Sequence, residues 1–269
     1  MRTGTPNCAV CGGTVAPDGR CWNCGAAQPA FRARLEAADG RGSAAVADRG
    51  LRKATNADAF ALTAVGPWSV GVVCDGVSMA PRADRAAQVA AETGAAALAA
   101  LLREGALPET ALAESAARAA RAVAALAPGG TADNAPACTY LAGITGPAGL
   151  WCAGVGDSRA YWLPEHGPGR VLTEEDTGEL DALTAWLGAG AEPPEAAVAS
   201  LRPSVPGRLL LCTDGLWRHL PHPDDLRAAL PRNRAADQLA SARGLVGRAL
   251  AAGGEDNITA LLLTVPADR

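Results

Sequence analysis

Three histidines and a single lysine, Lys53, are all that the chain has of those two residues. None of the histidines (His166, His219, His222) sits in a metal-ligand pattern, so oxygen and sulfur are left as the donors for any metal site. Long apolar runs are missing too. None approaches the roughly 20 residues needed to span a bilayer, and the N-terminus lacks the apolar core of a signal peptide. No membrane association is expected, and the cytoplasm is the expected location. A strong charge of either sign is also absent. The net charge of −4 weighs against a general affinity for nucleic acid.

What is there is enough chain for a large core: 269 residues, 49% of them hydrophobic, room for one big domain or a domain plus a small module. Eight cysteines fall into two classes. Cys74, Cys138, Cys152 and Cys212 stand singly in or beside apolar runs and read as buried thiols of a reducing compartment. Cys8, Cys11, Cys21 and Cys24 are spaced Cys-x2-Cys, nine residues, Cys-x2-Cys, with a glycine after each pair where a tight turn would need one. Four thiolates make a closed tetrahedral site for one structural Zn²⁺. So short a segment has almost no core, so the metal would supply its folding energy. Residues 1–29 are expected to form this zinc ribbon, a docking module whose partner the sequence does not name. Residues 30–42, charged and ending in glycines, are expected to be a linker, and 43–266 the main domain.

The main domain is organised around Trp68 to Met79, an apolar run rich in β-branched residues that stops at Asp75-Gly76. Such a run reads as a buried strand. An aspartate at its end must be solvated, hydrogen-bonded or metal-bound. The design recurs at Asp157, after Leu150 to Gly156, and at Asp214, after Leu209 to Thr213. It is inverted at Asp58, which precedes Ala59 to Leu62, and at Asp256, which precedes Ile258 to Leu263. If neighbouring strands are antiparallel, all five carboxylates reach one edge of a sheet. There they repel unless cations neutralise them, and oxygen-only donors favour Mg²⁺ or Mn²⁺. Around these strands, Pro81 opens an alanine-rich helix to about Arg103 and a second helix spans about 108–127. Strands are expected near 137–145, 150–156 and 161–163. Residues 164–207 read as irregular, with helical pieces near 177–187. A strand at 209–213, helices at 223–230 and 234–251 and a last strand at 258–265 follow. Segregated strands and helices mean α+β.

Together the corners resemble the protein phosphatase 2C family, the metal-dependent serine/threonine phosphatases, in their bacterial form. The matching pieces run from about Ser43 to Val265. They are Asp48-Arg-Gly-Leu with Asn56-x-Asp58, Cys74-Asp75-Gly76, Gly156-Asp157-Ser158-Arg159, Leu172-Thr173-Glu174, Thr213-Asp214-Gly215-Leu216 and Glu255-Asp256-Asn257-Ile258-Thr259. The resemblance implies a four-layer αββα β-sandwich, flanked by helices, with metals at one edge. It implies that Asp75 bridges two Mg²⁺ or Mn²⁺ ions while the Gly76 carbonyl touches one. Asp214 and Asp256 would hold the first ion, Asp157 would help Asp214 bind a third, weaker one, and Asp58 would orient water at the ions. The implied activity is hydrolysis of phosphoserine and phosphothreonine in proteins by a water the ions activate, in opposition to a serine/threonine kinase.

The pattern is broken in three places. Lys53 stands where the family usually has a phosphate-binding arginine; it keeps the charge but loses two-pronged hydrogen bonding, and Arg52 is a candidate substitute. Ala57 stands where an acidic residue often helps to hold the second metal. Ala137-Cys138-Thr139 replaces the usual Gly-Thr-Thr. These departures keep a second reading open, a catalytically weak or inactive pseudophosphatase acting as a binding module. A thiol phosphatase is a third, because Cys212 to Arg218 matches Cys-x5-Arg, although Leu216-Trp217 is bulky for a loop that must wrap phosphate. Residues 1–42 are expected to be dispensable for hydrolysis of a small phosphate ester, and 164–207 to hold a variable flap beside the site.

Overall fold

The computed structural model describes residues 8–16, 20–26, 28, 33–127, 132, 134–173, 183–232 and 237–265. Its main body is built from two antiparallel sheets. In chain order the strands are β1 (Arg34–Ala38), β2 (Ala44–Asp48), β3 (Ala59–Val65), β4 (Trp68–Cys74), β5 (Ala137–Cys138), β6 (Tyr140–Gly146), β7 (Gly149–Val155), β8 (Arg159–Pro164), β9 (Arg170–Val171), β10 (Leu187–Gly188), β11 (Ala197–Leu201), β12 (Gly207–Cys212) and β13 (Ile258–Val265). One sheet has the order β1-β2-β13-β12-β8-β9 and the other β11-β7-β6-β4-β3, with β10-β5 as a separate pair. The helices are α1 (Ala83–Arg103), α2 (Pro108–Ala124), α3 (Asp214–Trp217), α4 (Pro223–Ala229) and α5 (Gln238–Ala251).

The central strands read as unbroken apolar runs because both of their faces are buried. Successive residues point to opposite faces. Leu209 and Leu211 of β12, with Leu261 and Leu263 of β13 and Val73 of β4, fill the space between the sheets. Leu210, Cys212, Ala260 and Leu262 face the other way, onto α4 and α5. Val70, Val72 and Cys74 face α1 and α2. Helices therefore cover both outer faces, and the architecture is the expected αββα sandwich. Ala86, Ala87, Ala90 and Ala91 of α1 are fully buried; their small side chains let the helix lie close to the sheet.

Three expectations are corrected. The first helix starts at Ala83, not Pro81, because Arg82 takes a left-handed conformation at φ 53°. The linker reading fails for Arg34–Ala38, which pairs with β2 along its whole length, from Arg34↔Asp48 to Ala38↔Ala44. Within 164–207, Ala197–Leu201 forms an edge strand on β7, and Leu187–Gly188 pairs with Ala137–Cys138. The helical pieces expected near 177–187 fall mostly on residues outside those described. Among the described residues no helix is long and apolar enough to cross a membrane.

Candidate metal centre

Strand register brings the five aspartates to one edge. In the β3–β4 pair Ala59 faces Cys74, so Asp58 and Asp75 lie opposite one another. In the β12–β13 pair Cys212 faces Ala260, which places Asp214 and Asp256 at the same end. In the β12–β8 pair Cys212 faces Arg159, and Asp157 joins them.

Asp58 is 2% exposed. Its Oδ2 accepts hydrogen bonds from Thr213 Oγ1 at 2.8 Å and Thr259 Oγ1 at 2.7 Å. Its buried Oδ1 has no hydrogen-bond partner among the described residues. Burial, opposed by the two hydroxyls and reinforced by the charges of Asp214 and Asp256, pushes the carboxyl up to about 7. Asp75 is fixed through its backbone: its N–H donates to Thr139 Oγ1 at 2.9 Å and its carbonyl accepts from the Thr139 N–H at 2.7 Å. Burial and then the charges of Asp58, Asp214, Asp157 and Asp256 hold its carboxyl well above the usual range. The five carboxylates thus act on one another. Gly76 is hemmed in by backbone; a Cβ there would lie 2.8 Å from the Ala83 carbonyl and 2.9 Å from the Ala57 oxygen.

Two cations of the chain already lean on this edge. Arg218 Nε donates to Asp214 Oδ2 at 2.9 Å, while the buried Asp214 Oδ1 has no hydrogen-bond partner among the described residues. Lys53 Nζ lies 2.8 Å from Asp256 Oδ1 and donates to Ser78 Oγ at 3.1 Å. Burial, the largest single influence, would lower the Lys53 ammonium, but the hydrogen bond and charge of Asp256 together with the charges of Asp75 and Asp214 outweigh it, and the pKa is raised. The carboxylates are not drawn into one tight cluster: among the described residues only the four cysteines bring three or more donor atoms all within 4.8 Å of one another. The donor set nonetheless fits hard divalent ions, being all oxygen, mutually repelling and supplied with buried acceptor oxygens that have no hydrogen-bond partner among the described residues. Asp75, the Gly76 carbonyl, Asp214 and Asp256 could hold such ions, with Asp157 beside them.

Several supporting residues escaped the sequence reading. Asn257 ties the loop before β3 to the Asp256 corner: its Oδ1 accepts from the Ala57 N–H at 2.8 Å, and its Nδ2 donates to the carbonyls of Arg49 at 2.8 Å and Thr55 at 3.0 Å. Trp217 donates from Nε1 to the Asp157 carbonyl at 2.9 Å, and its ring lies 3.6 Å under the Arg159 guanidinium, a cation–π contact. Thr213, Asn257, Thr259 and Arg159 all lie inside the quoted motifs, so their nearness to the aspartates was the only signal. Arg52, named as a phosphate-binding substitute, pairs instead with Glu255 at 2.9 Å on the surface, where its side chain is 74% exposed. Cys212 is fully buried in β12, and burial pushes its thiol far up. A thiol nucleophile must be exposed and ionised, so the thiol-phosphatase reading is overturned.

At the N-terminus the two Cys-x2-Cys turns face each other. Cys8 and Cys24 sulfurs are 3.8 Å apart, and those of Cys11 and Cys21 3.4 Å. The N–H groups of Val10 and Asn23 donate to Cys8 and Cys21. Gly12 and Gly25, one after each pair, have φ of 73° and 69°, the left-handed turn that glycine permits. The Cys24 N–H, chiefly, brings Cys21 down to about 6. Cys11, despite the Gly13 N–H, is pushed up to about 12 by the Cys21 and Cys24 sulfurs. Four converging sulfurs with N–H groups aimed at them suit a tetrahedral thiolate site.

The sequence model of the family described as protein phosphatase 2C matches residues 51–243, well over half of the chain. The match includes Asp58, Asp75, Asp157 and Asp214 and stops short of Asp256. No curated protein matches the sequence. Among solved structures, the chain is similar to PppA, a key regulatory component of T6SS in Pseudomonas aeruginosa, with 25% identity, 83% of this chain and 96% of that one covered, and a TM-score of 0.62. It is similar to the S. agalactiae serine/threonine phosphatase, with 19% identity, 87% and 99% coverage and a TM-score of 0.65. It is also similar to the Mycobacterium tuberculosis serine/threonine phosphatase PstP/Ppp, with 22% identity, 87% and 99% coverage and a TM-score of 0.59. The last two likenesses speak to the fold.

Proposed function

The chain belongs to the protein phosphatase 2C family, and from that premise we propose that it removes phosphate from serine and threonine residues of phosphorylated proteins, opposing a serine/threonine kinase, with Mg²⁺ or Mn²⁺ at the sandwich edge. One observation carries the reading: five aspartates from five strand ends meet at one edge, where buried oxygens of Asp58 and Asp214 have no hydrogen-bond partner among the described residues. Asp75, with the Gly76 carbonyl, Asp214 and Asp256, would hold two of these ions, and Asp157 with Asp214 would hold a third, weaker one. When bound, such ions would lower the pKa of a water and offset the charge of the phosphate.

The protein's own groups do the positioning. Thr213 and Thr259 lock the Asp58 carboxylate, leaving Oδ1 to accept a hydrogen bond from a water aimed at phosphorus. Lys53 puts an ammonium beside Asp256, at the place a phosphate dianion would approach. Trp217 and Arg159 hold the Asp157 corner in place. The four N-terminal cysteines would hold one structural Zn²⁺.

The test is dephosphorylation of phosphothreonine peptides with and without Mn²⁺ and a chelator. Wild type should turn over only with the metal. Asp75→Ala and Asp214→Ala should lose roughly a thousandfold in kcat/KM, several kcal/mol of charge stabilisation; a near-wild-type rate would refute the assignment. A second reading, an inactive phosphopeptide-binding module, draws on the Lys53–Asp256 and Arg218–Asp214 pairs and on Ala57. It would show as peptide binding without turnover at saturating Mn²⁺.

A further inference from the structure

We propose that a cleft at the end of the sandwich remote from the aspartates binds a small phosphate monoester with an apolar body, its phosphate held by Arg170 and Arg202. The inference stands independently of the phosphatase reading.

The cleft, of about 370 Å³, opens between two edge strands, β9 of one sheet and β11 of the other. Register sets it away from the candidate metal centre. Cys212 faces Arg159 at the aspartate end of the β12–β8 pair, and Gly207 faces Pro164 at the other end, where Pro164 lines the cleft. The six residues of β8 therefore separate the two sites by roughly 17 Å. The floor of the cleft is apolar. Trp162 belongs to the core between the sheets, Leu201 and Val205 pack against that core, and all three line the cleft. Gly207 lets the indole lie here, since a Cβ in its place would come within 2.4 Å of the Trp162 ring. Arg170 stands directly opposite Trp162 across the β8–β9 pair, and residues so placed share a face of the sheet. Arg202 follows Leu201, the last residue of β11.

No carboxylate lines the cleft, whereas both arginines, His166 and Ser204 do. In a chain of net charge −4 a cluster of one positive sign draws anions. Neither arginine is neutralised from within. Among the described residues Arg170 makes no ion pair, and Arg202 bonds only to the Ala148 carbonyl, which accepts from its Nε at 3.4 Å. Glu165 adjoins His166 in the sequence but does not line the cleft. Asp224, which accepts from the Gly169 N–H at 3.0 Å, is paired with Arg227 at 3.4 Å. One guanidinium fork satisfies a carboxylate, whereas a phosphate monoester offers three oxygens to two forks and a hydroxyl. The volume lies at the low end for small-molecule sites, and the floor suits an apolar body attached to the phosphate.

The probe is phenylphosphonate, whose C–P bond is not an ester, titrated calorimetrically into the full chain without added Mg²⁺ or Mn²⁺. It should bind saturably, and more tightly than methylphosphonate, which lacks the ring. Arg170→Gln with Arg202→Gln should weaken binding by about tenfold or more, the order expected for lost charge-assisted hydrogen bonds. Each single glutamine variant should weaken it several-fold, which keeps the test decisive should the double variant fail to fold. No saturable binding, equal binding of methylphosphonate, or affinity unchanged by the arginine substitutions overturns the proposal. Binding lost in Lys53→Gln and kept in the arginine variants would place the ligand at the aspartate edge and overturn it as well.

Discussion

Asp58 bears the cost of crowding carboxylates. Burial keeps it neutral in the folded chain up to about 7, whereas the ordinary value is 3.8. Below 3.8 both folded and unfolded chains are protonated there and nothing is lost. Between 3.8 and about 7 the unfolded chain releases a proton that the folded chain keeps, so stability falls as pH rises; above about 7 the loss is complete. Asp58→Asn should therefore raise the melting temperature in chelator at about pH 8 by several degrees, with the gain shrinking toward pH 4, and should impair turnover. Thermal unfolding across that pH range checks the first part and steady-state kinetics the second. Cys212, sealed in β12, should matter little: Cys212→Ser should stay within about twofold of wild-type turnover, while a chelator abolishes it in both. At this scale the aspartate corners were legible, because an acid ending an apolar run is anomalous wherever it stands. The roles of Thr213, Thr259 and Asn257 were not, because their hydrogen bonds join positions 155, 201 and about 200 residues apart.

Among the elements, β1 departs furthest from its sequence reading. Arg34–Ala38 alternates exposed and half-buried positions and carries Arg34 and Glu36, so it lacks the apolar signal of a strand. Charge is how an edge strand discourages further pairing. Glu36 binds it to α5: Arg243 Nε donates to Glu36 Oε2 at 3.0 Å and Arg34 Nε to Oε1 at 2.8 Å. Arg243 first, then Arg34, holds the Glu36 carboxyl at about 2 against an ordinary 4.5. The depressed value contributes stability above pH 4.5 that disappears as pH falls through about 2. Glu36→Gln should lower the melting temperature at neutral pH by about 2 °C or less, since the pair is partly solvated, and the two proteins should converge in acid. The same strand redraws the expected truncation. Removal of 1–32 should keep hydrolysis of a small ester, whereas removal of 1–42 bares the edge of β2 and should lower the melting temperature or cause aggregation.

The whole molecule sets a stable sandwich against a repulsive edge. Both sheets are covered by helices, and their strands end in acids that push one another apart. Divalent ions would relieve that repulsion only in the folded chain, so they should stabilise it by mass action, by about 2.7 kcal/mol at a hundredfold excess over Kd. Mn²⁺ should therefore raise the melting temperature of the wild type by about 5 °C or more and leave Asp75→Ala almost unmoved. An equal shift in both proteins would place the ions elsewhere.

By itself the sequence determined what a few adjacent residues can encode: where apolar runs stop, which of them stop at an aspartate, where glycine frees a turn, and how the N-terminal cysteines are paired by spacing. These are local properties of backbone and side chain and survive any arrangement of the rest. The tertiary structure alone decided that Arg34–Ala38 and Ala197–Leu201 are edge strands, that Arg52 turns to Glu255 while Lys53 and Arg218 take the carboxylates, and that Cys212 is sealed. Each of these depends on sheet register, which sets distant residues side by side and is specified by the packing of the whole sandwich.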